Sequence, residues 1–213
     1  MPRPPKTPQQ RRDESLAQAR SRAVTVPAGL PLLESEADAG GRTDDELRAQ
    51  VLANALFWLR AVYASRAMPH ADFLRAMEPV RDAAEPALAE SHRAFIDDPL
   101  PGPDEVANAA WAIEGVATLL WASGLARDLP WPDQPCDPGA LEPSVERVLA
   151  GSPLKRRPTS DLLDQADLHY VLLGAVVRGK VPGVDGSIVY ERSRALGWLV
   201  QPDVDWDDVD MTT

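Results

Sequence analysis

Apolar residues recur along this chain mainly at intervals of three and four, the repeat of a helix face, with little of the strict alternation that marks a half-buried strand. The clearest segment begins at Thr43, which forms a capping box with Glu46 while Asp44 and Asp45 complement the positive end of the helix dipole. Leu47, Val51, Trp58 and Val62 follow on one stripe and Leu52, Leu56, Leu59 and Tyr63 on the next, an arc wide enough to predict packing on more than one side. Gly102, Pro103, Asp104 and Glu105 mark a second start, with proline at the first helical position and acids in the first turn. From there a single core helix is expected through Val106, Ala110, Ile113, Ala117 and Leu120 to a stop at Gly124.

Toward the C-terminus, Ser160 is expected to cap a long helix with the stripe Leu163, Ala166, Tyr170, Leu173 and Val177. Ser187 is expected to cap a last one carrying Val189, Leu196 and Val200. A short helix fits residues 12–21, and Pro79 and Pro86 divide the stretch between Pro69 and Phe95 into short pieces. Five prolines between Asp128 and Pro143 force an ordered loop before a short helix that ends at Gly151. With no internal repeat, the pattern predicts an all-α fold: a single globular multi-helix domain over residues 12–213 with Pro-rich loops. Residues 1–11, with Pro2, Pro4, Pro5 and Pro8 among polar and basic residues, are expected to form a disordered tail.

Composition agrees with a folded chain: 44% hydrophobic and 26% charged residues lie near globular averages and far from those of a disordered protein. Charge narrows the function classes. The formal net charge is −11, yet four of the 22 basic residues (Arg3, Lys6, Arg11 and Arg12) fall in the first twelve positions, where no acid stands. The remainder sets 18 basic against 33 acidic residues, a net −15 that repels phosphate backbones and anionic headgroups. No nucleic-acid or membrane partner is therefore expected, and Lys155, Arg156 and Arg157 read as a solvated turn. A lone cysteine, Cys136, excludes an internal disulfide framework, the start of the sequence lacks an apolar signal region, and the longest charge-free apolar stretch, 115–126, is too short for a bilayer. The expected setting is the cytoplasm.

Candidate chemistry is sparse. Asp203, Asp205 and Asp207 match the first ligand positions of a calcium loop, but Asp208 stands where the sharp turn needs glycine. Asp164, Asp167 and His169 cannot share one ion, because a helix places His169 about 140° from Asp164 and about 160° from Asp167. Asp164 and Asp167 do share a face; they could hold a cation or a partner's arginine, and facing water is the simpler reading. Asp133 and Asp137 oppose thiolate formation at Cys136. Neither Ser123 nor Ser187 sits in a nucleophile elbow, and Gly179, Gly183 and Gly186 lack the lysine and spacing of a phosphate loop. No cofactor or metal is expected. Glu114 interrupts the apolar segment 109–122 and needs a partner such as Arg192 or the Tyr170 hydroxyl. Glu114, Asp167, Tyr170 and Arg192 are thus the candidate binding residues. A structural pairing of Glu114 is the simpler reading, and a catalytic group is the alternative.

Six segments taken in order, FIDDP at 95–99, WAIEGVATLLWASG at 111–124, PDQPCD at 132–137, LDQADLHY at 163–170, YERSRALGWL at 190–199 and WDDV at 206–209, together resemble the bacterial domain of unknown function 4272 family. The resemblance spans nearly everything from about Arg11 onward. It implies no particular activity, cofactor or substrate. The chain departs from that family's pattern at Ala112, Val171 and Gly174, where the family usually carries arginine, arginine and tryptophan; two positive charges near Glu114 would then be missing. With no complete catalytic constellation, the sequence points to a helical interaction or regulatory module whose partner is another protein. A carboxylate-dependent hydrolase acting on a small substrate is the alternative.

Overall fold

Thr43 caps its helix as the sequence predicts: its Oγ1 accepts the Glu46 N–H at 3.2 Å and the Glu46 carboxylate accepts the Thr43 N–H at 2.7 Å. The helix that starts there, α2 (Asp44–Ser65), belongs to a computed structural model that describes residues 5–212. Among those residues the other helices are α1 (Pro8–Ser21), α3 (His70–Ala84), α4 (Glu90–Asp97), α5 (Pro103–Ala109), α6 (Ala112–Ala122), α7 (Pro138–Leu149), α8 (Thr159–Val176) and α9 (Gly186–Val200), with short 3-10 turns at Glu85–Ala87 and Trp206–Asp208. No strand occurs among the described residues, so the fold is all-α.

The chain gathers into two compact units. The first is built from the segment up to Arg42, Pro130–Pro135, and everything from Arg157 onward. In it α8 packs against both α9 and α1. Its core sets Leu168, Val171, Leu172 and Ala175 of α8 against Ala19, Val24 and Val189. The second unit comprises Thr43–Leu129 and Cys136–Arg156. There α2 is the hub, packed on α3, α4, α5, α6 and α7, which accounts for its wide apolar arc.

The structure differs from the sequence reading at two prolines and at four boundaries: α3 runs on through Pro79, which was expected to divide it, and α7 starts at Pro138, inside the stretch expected to be loop. The expected helix through 103–124 is two helices, because the chain tightens to i→i+3 bonds at the junction, Trp111 N–H to Asn108 O and Glu114 N–H to Trp111 O. The change of register turns Ala110 outward while Ile113, Ala117 and Leu120 stay buried. α8 starts at Thr159 after Pro158, whose fixed φ suits the entry, and not at a Ser160 cap. α9 is capped by Asp185, whose carboxylate accepts the Ser187 and Ile188 N–H groups. α1 begins at Pro8, inside the stretch expected to be a tail, because Thr7 and Gln10 form a capping box with proline at the first helical position. The expected tail residues 1–4 lie outside the described residues.

Several helix ends turn through left-handed backbone, and two of them contrast, one with and one without a glycine. After α6, Gly124 has φ +75°, and a Cβ there would come within 2.2 Å of the Lys155 carbonyl oxygen, so both conformation and space require glycine. After α2 the same turn is made by Ala67 at φ 53°. Gly124→Ala is therefore expected to destabilise the protein by about 3 kcal/mol, whereas Ala67→Gly is expected to stabilise it by about 0.5–1 kcal/mol. Urea unfolding midpoints of the two variants check both signs.

Candidate functional site

Asp164 and Asp167 lie three residues apart on α8 and so on one face. That face is closed to water at Asp167 and partly covered at Asp164. The helix lying against it is α1, which has almost no apolar side but carries Arg11 and Arg12, both buried. The Arg12 Nε–H donates to both Asp167 oxygens, at 3.1 and 3.2 Å, and its Nη2 donates to Oδ1 at 2.8 Å. The remaining donors reach the Leu30 carbonyl at 2.9 Å and the Pro31 carbonyl at 2.7 Å. Asp167 is 1% exposed, so this is a desolvated, forked ion pair. The neighbouring Arg11 Nε lies 3.3 Å from Asp164, and Lys6 bridges Asp164 at 2.6 Å and Glu14 at 2.5 Å. Burial lowers the Lys6 pKa, but hydrogen bonds to Asp164 and Glu14 and their charges outweigh it and leave the ammonium above its usual value.

Tyr170, one turn along α8 from Asp167, joins the same cluster: the Arg12 Cζ stands 5.6 Å from its ring centre. Arg192 of α9 is fully buried and its Nη1 donates to the Pro130 carbonyl at 2.5 Å. Glu114 belongs to the second unit. It is the third residue of α6, wholly buried, and its Oε1 accepts the Cys136 backbone N–H at 2.6 Å. The Cys136 thiol donates to the Ile113 carbonyl at 3.7 Å. The four candidates thus divide, with Asp167, Tyr170 and Arg192 in the first unit and Glu114 in the second. α8 sets Asp167 and Tyr170 one turn apart, and Arg12 contacts both. The sequence reading set Arg12 at the start of a short helix and gave it no partner; the clue it carried was a run of four cations without an acid, matching a pair of acids three apart on one helix.

His169, beside Tyr170, faces the opposite way, as its angle from Asp167 requires. Its Nδ1–H donates to the Gln165 carbonyl at 2.9 Å, while Nε2 is buried without a hydrogen-bond partner. Burial, and after it the positive charge of Arg192, push its pKa down to about 3. His169 is therefore a neutral core group. No cluster of His, Cys, Asp or Glu suited to a metal ion occurs among the described residues.

The profile of a family described as Domain of unknown function (DUF4272) matches residues 11–209. The chain belongs to the DUF4272 family. No curated protein and no solved structure matches it. In this DUF4272 chain the matched span begins at Arg11 and so takes in the whole Arg12–Asp167 pair, together with α8 and α9.

Two stability tests follow from these α8 side chains. Asp167→Asn leaves a buried guanidinium without its carboxylate and is expected to cost about 3–5 kcal/mol. Asp164→Asn, at a side chain 30% exposed, is expected to cost about 1 kcal/mol or less, measured by the same denaturant titration. The second test concerns acid. Because the folded His169 pKa lies below the unfolded value of 6.5, the histidine favours the folded state fully above pH 6.5 and that stability drains away as pH falls toward 3. His169→Gln removes this dependence, so the drop in unfolding free energy between pH 7 and pH 4 is expected to be smaller in the variant by about 3 kcal/mol.

Proposed function

We propose that this DUF4272 chain is a binding or regulatory module that acts through another protein, in the cytoplasm, and is not a carboxylate hydrolase. The observation that carries this reading is the state of Asp167: a general acid or base needs a lone pair or proton facing substrate, and this carboxylate is buried against the Arg12 fork. Glu114, the other carboxylate of the hydrolase reading, accepts a backbone N–H and stands in the other unit.

The surface supplies the positive side of the proposal. Leu100 is 86% exposed between Pro99 and Pro101, in a loop whose shape is fixed by Asp98, which accepts the Leu100 N–H at 2.8 Å. Acids Asp97, Asp104 and Glu105 stand close on either side of it in the sequence, so a protein partner would present an apolar pocket with basic surroundings. The acidic composition disfavours nucleic acid and anionic lipid, and no helix among the described residues is long and apolar enough to cross a membrane.

Affinity purification of the tagged full-length chain from native extract is expected to return a stoichiometric protein partner whose recovery falls at least tenfold with Leu100→Glu. Recovery of no partner, or of one indifferent to Leu100, overturns the reading. Hydrolysis of simple nitrophenyl esters or phosphates that disappears in Glu114→Gln would establish the alternative in its place.

A further inference from the structure

Arg60, near the C-terminal end of α2, is 1% exposed, and no carboxylate lies within ion-pair distance of it among the described residues. Its Nη2 donates to the Asp98 carbonyl at 2.6 Å, where α4 ends, whereas its Nε–H is buried with no acceptor. In a guanidinium, Nε–H and the nearer Nη2–H point the same way and form a fork that fits two oxygens of one anion. Arg12 shows the fork filled, by Asp167. In Arg60 a single carbonyl oxygen occupies one tooth and the other is empty.

The surroundings suit a small anion with an apolar body. The Arg60 Cζ lies 5.6 Å from the Phe73 ring centre and 6.0 Å from that of Phe95. Tyr63 meets Phe73 edge-on at 5.3 Å, and His70 stacks on it at 6.3 Å with its Nε2 held by the Ile96 carbonyl. Burial lowers the Arg60 pKa, with the nearby Asp98 charge acting against it, as expected of a cation short of compensating charge. We propose that Arg60, with the Phe73 and Phe95 rings beside its guanidinium, is a binding site for a two-oxygen anion, a carboxylate or a phosphate, which displaces the Asp98 carbonyl and fills the fork. Asp98 thereby acts as an internal occupant: its carbonyl holds the place and its carboxylate repels the incoming charge.

The proposal does not rest on the protein-binding reading above, although Asp98 takes part in both. Its test uses the intact chain, labelled with nitrogen-15, titrated with benzoate in one arm and inorganic phosphate in the other at constant ionic strength. The expected result is a saturable shift of the Arg60 Nε–H resonance in at least one arm; which arm saturates at lower concentration identifies the anion. Asp98→Asn, which retains the oxygen that accepts the Leu100 N–H and removes the charge, is expected to tighten binding about three- to tenfold. Arg60→Lys, a point charge without a fork, is expected to weaken it at least about tenfold. Absence of a saturable shift of the wild-type Arg60 resonance with both anions overturns the proposal, as does binding unchanged in Arg60→Lys. The wild-type titration decides the matter even where that variant does not fold.

Discussion

Arginine side chains reaching backbone carbonyls hold this fold together where its helices cannot. Proline has no N–H, so a loop rich in it cannot bond its carbonyls to one another, and a carbonyl buried without a donor is costly. With 21 prolines, the chain has many such loops. Arginine offers five donors on one rigid plane and closes them from outside. The acceptors include three prolines, namely Pro31 for Arg12, Pro130 for Arg192 and Pro202 for Arg42. Arg42 goes furthest, gathering the carbonyls of Trp198, Gln201, Pro202 and Val204 where α9 runs out, with its guanidinium 4.2 Å from the Trp198 ring centre. Four carbonyls at the negative end of a helix dipole meet one delocalised cation there.

The same residue type explains how a strongly acidic chain keeps a polar helix in place. α1 has too little apolar surface to dock by burial alone, with only Ala19 and Leu16 reaching the core. What fixes it is charge, because Lys6, Arg11 and Arg12 meet the two α8 aspartates. Most of the negative excess lies elsewhere. The concentration of basic residues at the start of the chain is therefore a structural feature, matched to one helix face, and the carboxylates on that face are consumed by it.

How much of this was legible follows from the range of each signal. The capping box at Thr43, the start at Gly102 and the stop at Gly124 are local, involving residues within four of one another, and the structure has each of them. Helical periodicity gave the fold class for the same reason. The i→i+3 tightening at Trp111 was invisible, because the apolar spacing through the junction is that of one unbroken helix. The caps of α8 and α9 lay two residues from where they were sought, since an aspartate or a proline competes with serine for that role and only the three-dimensional entry angle decides. Arg12 and Arg42 were least accessible: their acceptors lie as much as 155 and 162 positions away, and most of those acceptors are backbone.

That last property shapes how the fold can change over evolutionary time. A carbonyl oxygen is supplied by whatever residue occupies a position, so the acceptor side of each arginine tie can drift freely while the arginine cannot. Correlated substitution, which reveals contacts between pairs of side chains, has nothing to register in such a tie. The bonds that fix the loops of this protein would leave, in any comparison of its relatives, single invariant arginines with no partner that varies alongside them.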